Sequence, residues 1–137
     1  MCKDGESQPQ VFRIVYEEGL PDGFSYACEK LGVAVWKLAT GWGTLRERLQ
    51  DAAMELVILQ EADFPDDLVE EWKSIIHDLT KGRMKYRRVI KDGEFVDEPV
   101  GLIVSTVGYA RKETLLCLAR RICNLESRMT DSDRLDL

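Results

Sequence analysis

Residues 112–129, KETLLCLARRICNLESRM, decide the class of fold. Leu115, Leu118, Ile122, Leu125 and Met129 recur at steps of three and four. That spacing lines one face of a helix turning every 3.6 residues. A helix with a single apolar stripe needs partners carrying matching stripes, and the chain supplies them upstream.

Residues 24–39, FSYACEKLGVAVWKLA, repeat the pattern through Phe24, Ala27, Leu31, Ala34, Val35 and Leu38. Tyr26, Val33 and Trp36 extend apolar surface around this helix, which predicts a central position. Gly32 then reads as the site of a close helix crossing. Residues 45–60 form a second helix with Leu45, Leu49, Ala52, Ala53, Leu56 and Leu59 inward. Residues 64–80 form a third, with Leu68, Trp72, Ile75, Ile76 and Leu79 inward. Asp63 is its expected N-cap, Pro65 lies in its first turn, and Gly82 ends it.

The stretch TGWGTLRERL, residues 40–49, joins the first two helices. It lacks the GxxxxGK[ST] spacing of a phosphate-binding loop and the third glycine of a dinucleotide fingerprint. Gly41 fits a left-handed helix terminator, and Thr44 with Glu47 fits a capping box. Arg46 and Arg48 stand near the new helix start, where an anion is a minor alternative. Trp42 either pins this corner from inside or faces a partner.

Between residues 83 and 98 the pattern changes. Asp92-Gly93 sits between the β-compatible flanks YRRVI and EFV, which predicts a hairpin near residues 84–97. Residues 11–17, VFRIVYE, read as a short strand able to join it. Pro99 is the expected start of a fourth helix, PVGLIVSTVGYA, with a buried strand as the competing assignment. Residues 1–10 read as a disordered lead, 11–129 as one domain and 130–137 as a frayed tail. The expectation is a mainly α, four- to five-helix bundle with a short N-terminal strand and a β-hairpin.

The 137 residues carry a net charge of −6 and no apolar run long enough to span a bilayer. The polar start MCKDGESQPQ lacks the apolar stretch of a secretion signal, so a cytoplasmic protein without membrane contact is expected. Cys2, Cys28, Cys117 and Cys123 form no CxxC pair and His77 is the sole histidine, so no metal or other cofactor is expected. Buried free thiols are the simplest reading of the cysteines. No nucleophile–base–acid arrangement surrounds His77, so a non-enzymatic protein is expected, with an enzyme whose residues assemble from separate helices as the third reading.

Charge is segregated. Glu61, Asp63, Asp66, Asp67, Glu70 and Glu71 fall within eleven residues that hold no Lys or Arg. They suit the positive end of the third helix. Lys81, Arg83, Lys85, Arg87, Arg88 and Lys91 fall within eleven residues that hold no Asp or Glu. Arg111, Lys112, Arg120 and Arg121 add basic charge on the last helix. The expected function is an accessory, regulatory or inhibitory interaction module. Its contact residues would be Arg83, Lys85, Tyr86, Arg87, Arg88, Lys91, Arg120, Arg121 and Trp42. An acidic protein surface is the expected partner, and a second copy docking its acidic run head to tail is another. A nucleic-acid accessory role, with Tyr86 stacking on a base, is the alternative.

Overall fold

The computed structural model describes residues 20–83 and 85–135. The expected lead over 1–10 and strand over 11–17 lie outside them. Among the described residues five α-helices and one antiparallel hairpin follow in the order α1 (Phe24–Thr40), α2 (Leu45–Val57), α3 (Asp66–Thr80), β1 (Lys85–Lys91), β2 (Glu94–Val100), α4 (Leu102–Gly108) and α5 (Lys112–Leu135). A single turn of 3-10 helix, Glu61–Asp63, bridges α2 and α3.

The core forms where the apolar stripes meet. Phe24, Ala27, Leu31, Ala34 and Leu38 of α1 are buried against Leu49, Ala52, Ala53 and Leu56 of α2 and the full predicted stripe of α5. The alanines of α2 let α1 approach closely. Leu68, Trp72, Ile75 and Leu79 of α3 close the far side. The indole of Trp72 stacks on Phe64 with ring centroids 5.0 Å apart and donates to the Leu56 carbonyl at 3.2 Å. That bond satisfies a carbonyl at the end of α2.

Several boundaries and roles differ from the sequence reading. α2 stops at Val57 rather than residue 60. Asp63 does not cap α3: its carboxylate accepts from the Gln60 amide at 2.9 Å and closes the 3-10 turn. With Asp63 committed there, α3 starts at Asp66 behind Pro65. α1 is not buried all round, since Tyr26 and Trp36 are exposed. Pro99 belongs to β2, so α4 is shorter than expected and starts at Leu102. α5 continues to Leu135, six residues past the expected stop at 129.

The corner between α1 and α2 has the predicted capping box: the Thr44 amide donates to Glu47 at 2.8 Å, and the Glu47 amide to the Thr44 hydroxyl at 3.2 Å. The left-handed glycine is Gly43, at φ +93°, whereas Gly41 is extended. The chain leaves α1 straight and reverses two residues later, which sets Thr44 as cap. Both arginines here donate to backbone carbonyls. Arg48 donates to the Leu38 carbonyl near the end of α1. Arg46 donates to the carbonyls of Val107, Gly108 and Ala110 at 2.7, 3.2 and 2.9 Å. Each guanidinium thereby meets the negative end of a helix.

Gly32 marks no crossing, because a Cβ there would meet nothing within 4 Å. In mid-helix a glycine costs about 1 kcal/mol relative to alanine. Gly32→Ala is therefore expected to stabilise the protein by up to about 1 kcal/mol. Chemical denaturation checks this, and a loss of stability would show that the α1 surface is occupied after all.

Candidate functional site

The hairpin is the feature that stands off the core. Asp92 at φ 52° and Gly93 at φ 81° form its two-residue turn. Positive φ at both positions matches the right-handed twist of the strands. Pairing runs from Lys85 opposite Val100 to Lys91 opposite Glu94. The strands pack on each other and barely touch the helices. Two bonds hold the root to α4: the Gly82 amide donates to the Thr106 hydroxyl at 2.8 Å, and the Ser105 hydroxyl donates to the Arg83 carbonyl. A Cβ at Gly82 would lie 2.6 Å from that threonine hydroxyl.

Alternation along β1 puts Lys85, Arg87, Val89 and Lys91 on one face and Tyr86, Arg88 and Ile90 on the other. The second face is open and carries apolar side chains around the Arg88–Asp97 pair. Tyr86 and Ile90 are each 66% exposed, and Phe95, opposite Ile90, is 70% exposed. The first face carries an ion-pair ladder. Glu98 accepts from Arg87 at 3.0 Å and lies 3.2 Å from Lys91. Arg88 pairs with Asp97 at 3.5 Å across the other face. The hydrogen bond from Arg87, then that from Lys91, holds the Glu98 carboxyl below its ordinary range. The basic run is thus one strand of a balanced ribbon: Lys85, Arg87, Arg88 and Lys91 against Asp92, Glu94, Asp97 and Glu98.

At the root the balance tips. A cleft of about 730 Å³ is lined by Lys81, Arg83, Lys85, Tyr109 and Arg111, with Asp78 as its one carboxylate. The Lys85 ammonium lies 4.7 Å from the Tyr109 ring centre. Lys81 lies 3.5 Å from Asp78, whereas Arg83 and Arg111 have no ion-pair partner among the described residues. The predicted basic residues therefore split three ways. Arg83 and Lys85 join Lys81 and Arg111 in the cleft. Arg87, Arg88 and Lys91 stand on the arm with Tyr86. Arg120 and Arg121 lie further along α5.

Arg121 is committed internally. It bonds Asp78 at 2.7 Å, Glu71 at 3.3 Å and Ser74 at 2.8 Å, tying α5 to α3. Burial opposes its charge, but the bonds to Asp78 and Glu71 outweigh that and raise its pKa. The same bond, foremost among its causes, lowers the pKa of Asp78. Trp42 faces outward at the α1–α2 corner, 94% exposed, on elements other than the hairpin. The acidic run lies at the start of α3, where Lys73 sits 3.7 Å from Glu61 and 3.6 Å from Glu70. His77 is exposed. Cys117 is exposed rather than buried. Cys123 is half-buried, and burial followed by the charge of Glu126 raises its thiol pKa.

The acids of β2 and the exposed Ile90, Phe95 and Tyr109 escaped the sequence reading as site residues. The period-two alternation on either side of Asp92-Gly93 was the available signal for the first three groups. Tyr109 reaches Lys85 only through the fold. Compared with protein-family models, with curated proteins and with solved structures, the chain matches none.

Arg121→Gln removes the cation that Glu71 and Asp78 share and leaves Asp78 with Lys81 alone among the described residues, at 3.5 Å. Both carboxylates are about a third exposed, so solvent moderates the cost to about 1–2 kcal/mol at pH 7. A carboxylate with a depressed pKa stabilises the fold above its ordinary value, 3.8 for Asp78, and loses that contribution as pH falls toward the depressed one. The difference between wild type and variant is accordingly expected to shrink between pH 5 and pH 3. Urea denaturation at each pH measures it; an equal difference at both would mean that Arg121 acts through packing alone.

Proposed function

We propose that this protein is a non-enzymatic interaction module, an accessory or regulatory subunit that uses its hairpin arm to engage an acidic surface on a larger protein. The observation that carries this reading is an ordered arm with little hold on the core, which exposes a basic strand beside an open aromatic face. Such an arm contributes little to the stability of the helical body. Its four cations and three large exposed side chains are what an interface uses, since aromatic residues and arginine concentrate binding energy. Arg120 and the outward Trp42 would extend the contact area, whereas Arg121 would act indirectly by holding α5 to α3. A cytoplasmic setting agrees with the exposed thiol of Cys117. No helix among the described residues is long and apolar enough to cross a membrane.

The double variant Arg87→Glu, Arg88→Glu is expected to weaken partner capture while leaving the melting temperature of the helical body within about 2 °C, since exposed substitutions away from core features cost little. Pull-down and thermal melting together read this out. Undiminished capture would refute the assignment of the interface to the arm.

The cleft at the hairpin root favours a second reading, a nucleic-acid accessory role. Lys81, Arg83, Lys85 and Arg111 would meet phosphates there, and the exposed Tyr109 and Tyr86 would offer stacking surfaces. On that reading single-stranded RNA or DNA is retarded in a low-salt gel shift, and affinity falls steeply with added salt. Absence of a shift at low salt eliminates it.

A further inference from the structure

The hydrogen-bonding parity of the hairpin makes its two outer edges unequal. With a two-residue turn, Lys91 and Glu94 close the first hydrogen-bonded pair. Alternation then places Val89 with Val96, Arg87 with Glu98 and Lys85 with Val100 in bonded pairs. The N–H and C=O groups of Tyr86, Arg88 and Ile90 point away from β2, and those of Phe95 and Asp97, with the C=O of Pro99, point away from β1. Pro99 has no N–H, so it costs the ladder nothing where it stands and blunts the outer edge of β2. Among the described residues, the outer edge of β1 has no such guard.

Resting on the acidic-partner reading above, we infer that the outer edge of β1 receives an added strand: an extended segment of a different protein that mixes acidic and apolar residues on both faces, as β2 does. Backbone groups of Tyr86, Arg88 and Ile90 supply the ladder. Lys85, Arg87, Arg88 and Lys91 select acidic side chains, and Tyr86 and Ile90 select apolar ones. β2 already has this composition on the inner side, with Glu94, Asp97 and Glu98 among Phe95, Val96 and Val100. The incoming strand repeats it on the outer side and makes β1 the centre of a three-stranded sheet, the smallest sheet expected to be stable alone.

A second copy of this chain fits poorly in every arrangement. Two β1 edges bring four cations against four. Two β2 edges oppose Glu94, Asp97 and Glu98 to themselves and lack the Pro99 amide. A β1 edge against the β2 edge of another copy matches in charge but meets Pro99, and being head to tail it does not close. The acidic run of α3 is helical and has no strand edge to offer.

The test uses the full-length protein and a fluorescein-labelled synthetic peptide copying residues 94–100 with Pro99→Val, read by fluorescence anisotropy. Two further peptides carry backbone N-methyl groups on alternate residues, the odd positions in one and the even in the other. Only one parity directs its amides at β1. The parent peptide is expected to bind. One N-methylated form is expected to lose about tenfold or more, the worth of one or two hydrogen bonds, while the other keeps its affinity. A peptide with lysine at each acidic position is expected not to bind. Equal binding by all three acidic peptides overturns strand addition while leaving a side-chain contact with an acidic partner intact. Binding of an oligonucleotide but of no acidic peptide overturns both. Binding seen only after Ile14→Pro in the full-length chain overturns the inference differently, by assigning the edge to residues 11–17 of the same molecule.

Discussion

Among the described residues, three helices close onto the apolar stripe of α5. Leu115, Leu118, Ile122, Leu125 and Met129 are all buried, and α1, α2 and α3 each pack on the helix that carries them. Burying each such side chain is worth roughly 1.5–3 kcal/mol. Together they approach the entire net stability of a domain of this size. The last helix in the chain is therefore the one that completes the core. It also fixes where the hairpin root can sit, because Arg121 clamps α5 to the end of α3 from which the arm departs.

Arginine does two kinds of structural work that composition alone counts as surface charge. Arg46 and Arg48 close the ends of α4 and α1, and Arg121 joins two helices through their carboxylates. Arg121 uses three nitrogens on Glu71, Asp78 and Ser74 at once, a geometry lysine does not offer. What remains exposed is a smaller set: the arm, with Arg83 and Arg111 of the root cleft, which have no ion-pair partner among the described residues. A strand whose acids lie opposite its bases is not strongly basic as a whole, so the specificity argued for the arm comes from which edge is open as much as from net charge.

The periodic features were legible in the sequence. The buried stripes of α3 and α5, the capping box at Thr44 and the turn at Asp92-Gly93 each follow from local spacing, and each stands where that spacing puts it. The misses share a physical origin in competition between neighbours. Asp63 had two amides to choose from and took the nearer turn at Gln60. Pro99 reads as a helix start, yet an outward-facing strand position removes its penalty as well as a first helical turn does. Gly41 and Gly43 are both able to be left-handed, and only the placement of Thr44 selects the second. For the site, the basic run was plain, but its pairing with Asp97 and Glu98, the diversion of Arg121 to Asp78, and the meeting of Lys85 with Tyr109 depend on register and tertiary contact.

The weak coupling of the hairpin to the core has a mutational consequence. Substitutions in most domains trade binding against foldability, because the residues that touch partners also brace the interior. Here the hairpin and the helical body are separate parts of the fold, joined through Gly82, Arg83, Ser105 and Thr106. Substitutions on the exposed arm are therefore expected to leave the packing of the helical body unchanged.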